Sequence, residues 1–406
     1  MHKVIVVGGG ASGMMSAYFS ALSGNDTILI EKNEKLGKKL YITGKGRCNL
    51  TNDISSNEFL NFVVSNPKFM YGSINAFSSK ETQEFFSAKG LKLKIERGNR
   101  VFPESDKASD VTKTLEKALR SVNVDVRLNE TVKSILTQDG KILGVKTDKG
   151  IEYCDSVIIC TGGVSYPLTG STGDGYVFAK YCGHSIVEPK PSLVGIELKD
   201  NDIQSLQGLS LKNVSIKAMQ GEKVVYSDFG EMLFTHYGIS GPIVLSCSCF
   251  LNRKDLNSVS ICLDLKPALN EKALDNRLLR EFESGKNKEI KNIMRSLLPE
   301  SLVPFVLNRL NISQTKKCGE ITKEERGRIV DGLKNVKFKP KQLRPIDEAI
   351  VTAGGVNVKE VNPKTMESKL IKGLFFAGEV LDVDCFTGGF NLQTAFSTGY
   401  VAGNNA

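Results

Sequence analysis

Apolar and polar positions alternate with three different periods along this chain, and the changes of period mark out its elements. The run "KVIVV" (Lys3 to Val7) is short and β-branched, the pattern of a strand buried on both faces. The stretch "ASGMMSAYFSALSG" then reads as a helix, and "TILIEK" as a second strand ending at Glu31. Within "ETVKSILTQDGKILGVKTDKGIEYCDSVIICTGG", three short alternating runs are joined by "QDGK" and "DKG" turns and predict an antiparallel meander. A buried strand, Val157 to Cys160, follows and ends in Thr161-Gly162-Gly163. Period-two alternation in "LSLKNVSIKAM", "KVVYSDFGEML" and "SVSICLDL" predicts a small antiparallel barrel over 191–270. Helical periodicity takes over in "NEKALDNRLLREFES", "KEIKNIMRSLL" and "TKEERGRIVDGL". Near the C-terminus, "GLFFAGEV" predicts another buried strand, and "FTGGFNLQTAFSTGYVAG" a helix opening near Gly389 and Asn391.

The first strand–helix–strand unit carries chemistry. Gly8, Gly10 and Gly13 fall in G-x-G-x-x-G spacing, and Glu31 closes the second strand. The first glycine permits the tight turn, the second lets backbone approach a pyrophosphate, and the third lets helix pack on strand. The helix N-terminus offers unpaired N–H groups to phosphates, and a strand-end acid accepts from ribose hydroxyls. The next segment, "KLGKKLYITGKGRCNLTN", is a long loop punctuated by glycine and lysine, suited to wrapping an extended cofactor. Gly378-Glu379 ends a strand about 370 residues from the first turn, where an acid would reach a ribityl chain. The helix after it would face the flavin edge where negative charge collects on reduction. Together these pieces point to FAD, in an α/β fold of the two-dinucleotide-binding type: a Rossmann-like parallel sheet plus a β-meander, with an inserted antiparallel β-barrel and helical domain. No second strand–GxGxxG–helix–acid unit exists, so any NAD(P)H would visit the flavin face as a transient donor, or electrons arrive another way.

Composition narrows the class further. Hydrophobic residues make up 40% and charged residues 24%, ordinary for a soluble protein, and the longest apolar stretch, "PIVLSCSCFL", is too short for a membrane span. Nine scattered cysteines and no leader pattern lead to the expectation of free thiols in the cytoplasm. Three histidines and one C-x-C give too few ligands for a metal site. The net charge of +9 favours anionic ligands. No compact basic block interleaved with aromatics stands out, so nucleic acid is not expected as a partner. The densest basic run, Lys35, Lys38, Lys39, Lys45 and Arg47, reads either as a solvated loop or as phosphate contacts.

The stretches "GGGASG", "GKGRCNLTN", "TGGVSYPLTGSTGDGY", "LFTHYGISGP", "DEAIVTAGGV", "MESKLIKGLFFAGEVLDVD" and "TGGFNLQTAFSTGYVAG" resemble the BaiN-like family of NAD(P)/FAD-dependent oxidoreductases, also catalogued as aminoacetone-oxidase-family FAD-binding proteins. Two departures stand out: Lys45, where a smaller residue is common, and Thr394, where an aromatic is common. The resemblance implies a discontinuous FAD domain, 1–190 plus 345–406, with the barrel at 191–270 and a helical part at 271–344. "EPKPSL" and "KPKQLRP" form the joints. The implied cofactor contacts start at Gly8, Gly10, Ala11, Ser12 and Gly13, with Glu31 and Lys32 at the second strand end. They continue with Lys39, Gly46, Arg47 and Cys48 in the loop, Val132 in the meander, and Thr161 and Gly162. Gly378, Glu379, Gly389, Phe390, Asn391 and Leu392 complete them.

Several of these residues admit a plainer role. Arg47 reads as a flavin contact or as half of a salt bridge. Cys48 reads as a redox thiol or as a small packed residue, and Cys385 in "DCFTGG" could fall near the same site, with no C-x-x-C spacing to mark the two as a redox pair. Asp174 in "GSTGDGY", a segment similar to one in fumarate-reductase-like flavoproteins, reads as an N-cap or a catalytic acid. His236 and Tyr237 in "FTHYGISGP" are the polar catalytic candidates of the inserted domain, as proton donor or as structural groups. Three activities fit. One is NAD(P)H-driven reduction of an enone-type small molecule. The second is oxidation of an amine or aminoketone by oxygen. The third is an RNA-associated flavoprotein role, motivated by the charge.

Overall fold

The computed structural model describes residues 1–406. The chain divides into two compact units, Met1–Ser192 with Ile346–Ala406, and Leu193–Pro345. In the first unit, β1 (Lys3–Val7) pairs in parallel with β2 (Asp26–Ile30) on one side and with the strand Ser156–Ile159 on the other. Strands Leu374–Phe376 and Asp125–Arg127 extend this to a five-stranded parallel sheet. Its inner strands are apolar on both faces, as a sheet covered on both sides requires. The helix α1 (Ala11–Leu22) joins β1 to β2. It packs along the C-terminal helix Phe390–Asn405 through small residues: a Cβ on Gly399 would lie 2.6 Å from the Ser12 carbonyl oxygen. The meander is present as Val132–Gln138, Lys141–Thr147 and Ile151–Tyr153.

The second unit is built on a seven-stranded antiparallel sheet. Long strands Ser210–Gln220 and Lys223–Phe234 form its centre, and Val259–Asp264 pairs with the first of them. Its two terminal strands are Val336–Phe338 and Pro340–Leu343, separated by Lys339 alone, so the sheet curls until its edges share one continuous stretch of chain. Two boundaries therefore differ from the sequence expectation. The helical part ends with the helix Lys323–Lys334, and 336–343 returns to the sheet instead of remaining helical. At the other end, Pro191 and Ser192 belong to a strand of the first unit, paired with Thr352 and Val351. Strands of three and four residues, one opening with proline, carry too little periodicity to read from sequence. The apolar run "PIVLSCSCFL" is the helix Pro242–Leu251, buried inside this unit.

Candidate functional site

The turn between β1 and α1 shows what each glycine does. Gly8 adopts φ +105°, a conformation that L side chains rarely adopt, and a Cβ there would press on the Cys160 carbonyl. A Cβ on Gly13 would overlap the Gly8 carbonyl oxygen, so helix and strand meet backbone to backbone. Gly10 is different: a Cβ there would meet no heavy atom within 4 Å. Gly10 is also the N-cap of α1, with no side-chain cap and no acidic residue in the first turn. An uncapped helix start facing open space, at the end of a parallel sheet, suits the diphosphate of a dinucleotide. Ala11 and Ser12 form the first turn of that helix.

Glu31 is buried and its carboxylate is held from two sides. Gly9 N–H donates to Oε2 at 2.6 Å, and Asn33 donates to Oε1 from its backbone at 2.8 Å and from its side-chain amide at 2.6 Å. These bonds fix the carboxylate beside the glycine turn and leave lone pairs for hydroxyl donors. Lys32 points to the "STGDG" segment, donating to Thr172 Oγ1 at 2.6 Å and Asp174 Oδ2 at 2.7 Å. The N-cap of the helix Asp174–Tyr181 is Gly173, in the left-handed region, so Asp174 is its first residue and not its cap. Its carboxylate at the positive helix end is paired with Lys32 instead.

Lys39 and Glu379 stand 340 positions apart and meet in space. Lys39 Nζ lies 3.0 and 2.7 Å from the two Glu379 oxygens and donates to Ser165 Oγ at 2.6 Å. Glu379 Oε1 also accepts from Ser165 Oγ at 3.0 Å and Thr352 N–H at 2.9 Å. Thr352 Oγ1 accepts from the backbone of Val164 and Ser165, which locks the segment after Thr161-Gly162 onto this cluster. Thr161 Oγ1 is buried with no hydrogen-bond partner in the protein. Ser165 and Thr352 carried no signal in the sequence, because only the fold brings their segments to Glu379, whereas Asn33 lies two residues from Glu31 and its role was local but unmarked by any motif.

The loop 43–48 is backbone-driven: Gly44, Lys45, Gly46 and Cys48 all have positive φ. Cys48 is fully buried and burial pushes its thiol up to about 12, so it rests protonated. Arg47 donates to Asp106 at 2.7 Å, pairs with Glu96, and lies over the Phe102 ring at 4.2 Å. Arg47 holds the Glu96 carboxyl below its ordinary value, and Lys94, 2.6 Å from Asp106 Oδ2, together with Arg47 does the same for Asp106. All nine cysteines are free thiols.

At the C-terminal helix, Gly389 is the N-cap at φ +98°, again with no side-chain cap and no acid in the first turn. Gly378, at φ +79°, brings its backbone against Ser12. Phe390 is buried, stacked on Phe62 at 4.4 Å between centroids. Asn391 is spent on the preceding turn, accepting from Cys385 N–H at 2.9 Å and donating to its carbonyl at 3.0 Å. Leu392 packs half-buried against the core, and Val132 opens the meander opposite Thr147. In the second unit His236 is exposed, while Tyr237 packs on Gly195 with the Arg344 guanidinium 4.7 Å from its ring centre.

The HI0933-like protein Rossmann domain model matches residues 2–405. Among characterised proteins, the chain is 31% identical to a 3-dehydro-bile acid delta(4,6)-reductase of Clostridium scindens, covering 100% of this chain and 99% of that one. It is 29% identical to a ribosomal RNA dihydrouridine synthase of Haemophilus influenzae, covering 98% and 96%. Among solved structures, a 3-ketosteroid-delta4-(5alpha)-dehydrogenase from Rhodococcus jostii shares the fold with a TM-score of 0.54 at 14% identity, covering 100% of this chain and 96% of that one. The fold is thus that of a Rossmann-like domain with a parallel sheet.

Proposed function

The chain belongs to the HI0933-like Rossmann-domain family, and from that premise we propose that it is an FAD-dependent oxidoreductase that saturates a carbon–carbon double bond conjugated to a carbonyl, with NAD(P)H as electron donor. The observation that carries the cofactor is Gly10, which faces open space at an uncapped helix start while Gly8 and Gly13 are locked by neighbouring backbone. The α1 N-terminus would bind the diphosphate, Glu31 the adenosine ribose, and the Lys39–Glu379–Ser165 cluster the flavin side of the molecule. Bound there, FAD supplies reversible two-electron chemistry. Thr161 Oγ1, buried without a protein partner, offers one further polar contact. The uncapped start of the C-terminal helix would favour negative charge on the group it faces.

The chemistry of the double bond is what the two kinds of relative share. A 3-oxo steroid with a C4 double bond and a uracil ring both present an alkene activated by a carbonyl, so one hydride-transfer site serves either. No feature of the chain favours amine oxidation over this. Anaerobic stopped-flow mixing with NADH and NADPH tests the proposal: one of them bleaches the bound flavin, and a 3-oxo-Δ4 steroid or uridine-containing RNA restores its colour. If neither nicotinamide bleaches it, the electron donor is wrong; if reduced flavin is reoxidised only by oxygen, the substrate class is wrong.

A further inference from the structure

The net charge is not spread evenly. Residues 193–345 hold 25 Lys and Arg against 18 Asp and Glu, while the other unit holds 29 against 27. Within the second unit the excess is sharpest after Asp331: Lys334, Lys337, Lys339, Lys341 and Arg344 follow with no acid before Pro345. From 336 to 341 burial alternates strictly. Val336, Phe338 and Pro340 point inward, and Lys337, Lys339 and Lys341 point outward. A strand advances about 3.3 Å per residue, so these lysines stand roughly 6.6 Å apart in a line.

Neighbouring strands widen the line into an array. Lys337 lies opposite Cys262, which lies opposite Lys217, placing that exposed lysine two strands away on the same face. Lys199 adjoins Lys339 through a backbone hydrogen bond of 2.9 Å. Phe229, opposite Ser215 on this outer face, is 53% exposed, a diagonal step from Lys217. The nearby acids are already engaged: Asp264 with Lys334 at 2.6 Å, Glu197 with Arg344 at 2.7 Å, and Asp200 with Arg309 at 2.9 Å. Only Lys341 approaches one of them, at 3.9 Å from Glu197. The cations are left with uncompensated charge.

We infer that the outer face of the second unit, centred on Lys337, Lys339 and Lys341, is a docking surface for the sugar–phosphate backbone of single-stranded RNA. A linear row of cations at a regular pitch matches a chain with one charge per nucleotide, and the exposed Phe229 ring next to Lys217, three strands across the sheet from Lys337, suits base stacking. An anionic lipid surface would need charge but neither a row nor a lone ring at one end. Lysine and proline also occur on terminal strands merely to block edge-to-edge pairing. The two causes predict different losses. This inference deepens the reading above by naming RNA as the carrier of the reducible double bond, but its test requires no turnover, so the two can fail separately.

The experiment is fluorescence anisotropy of the full-length protein, as purified, with labelled oligouridylate between low and moderate salt. The triple variant Lys337→Gln/Lys339→Gln/Lys341→Gln should bind at least about tenfold more weakly at low salt. Its log–log salt slope should fall by about 2, from three lost phosphate contacts at roughly 0.7 each. The triple Lys→Arg variant should retain binding, and Phe229→Ala should weaken it without changing the slope. Removing the same charge from the first unit, with Lys92, Lys113 and Lys117 changed to Gln, should leave binding within about threefold. Equal losses from both triple variants, unchanged RNA affinity in the first, or binding to phosphatidylserine vesicles without binding to RNA would each overturn the inference. So would self-association of the Gln variant with RNA affinity unchanged, which is the signature of edge protection.

Discussion

Gly10 and Lys39 make opposite demands on a single side chain, and substituting them separates fold from binding. A methyl group at Gly10 meets no protein atom, and the residue's φ of −82° suits alanine. Gly10→Ala should leave the apo-protein as stable or up to about 1 kcal/mol more stable. The same methyl enters the space assigned to the diphosphate, so FAD affinity should drop by at least about tenfold. Equal retention of FAD by the variant, checked by isothermal titration, would remove the diphosphate from this turn. Lys39 makes its case through a partner. Lys39→Met leaves the Glu379 carboxylate uncompensated and should weaken FAD binding and lower Tm. Adding Glu379→Gln should recover part of both, with a coupling of about 1–2 kcal/mol in a double-mutant cycle. Strict additivity would mean that the pair does not act as a unit. Neither residue's partner was legible in the sequence. The glycine spacing was, because a turn is local; the ion pair was not, because 340 residues separate its members.

Elements are held together by buried polar contacts as well as by apolar faces, and His184 is the clearest case. It lies just beyond the helix Asp174–Tyr181, with Nε2 2.8 Å from Ser368 Oγ, Nδ1 3.3 Å from Glu360 and its ring edge-on to Phe376. Burial holds this imidazole below its ordinary value, although Glu360 pulls the other way. The unfolded chain therefore takes up the proton first. Stability from this group is fully present above about pH 6.5 and is lost as the pH falls below it. The Glu360 carboxyl, itself held low, adds its own loss only at more acidic pH. His184→Gln should flatten the decline of Tm between pH 7 and pH 5; an unchanged slope would assign that decline to other groups. The sequence showed the buried strand that carries Phe376, in "GLFFAGEV", and the likeness of "GSTGDGY" to fumarate-reductase-like flavoproteins implied the helix starting near Asp174. It showed nothing of His184 itself, because the Glu360 to Ser368 segment is a loop without pattern.

Across the whole chain, the sequence was most readable where an element is long or both of its faces are buried: β1, α1, β2, the meander and the C-terminal helix. It was misread at the inserted unit's end, where Val336–Phe338 and Pro340–Leu343 are too short to outweigh the helical pattern before them. That misreading also hid the lysine row, since only a strand turns "KFKPK" into a line of outward cations. Of the candidate site, the glycine turn and the two strand-end acids were visible, while Ser165 and Thr352, which orient Glu379, came from segments that meet it only in three dimensions, and Asn33, two residues from Glu31, carries no motif that marks its role. A flavin held between the first turn and the C-terminal helix is what the proposed activity requires. The most direct test is the visible absorbance spectrum of the purified protein, repeated after removal of small molecules and addition of FAD. A flavin spectrum that survives gel filtration, or returns on adding FAD with a rise in Tm, is the predicted result. A colourless protein that gains neither absorbance nor thermal stability from FAD would contradict it.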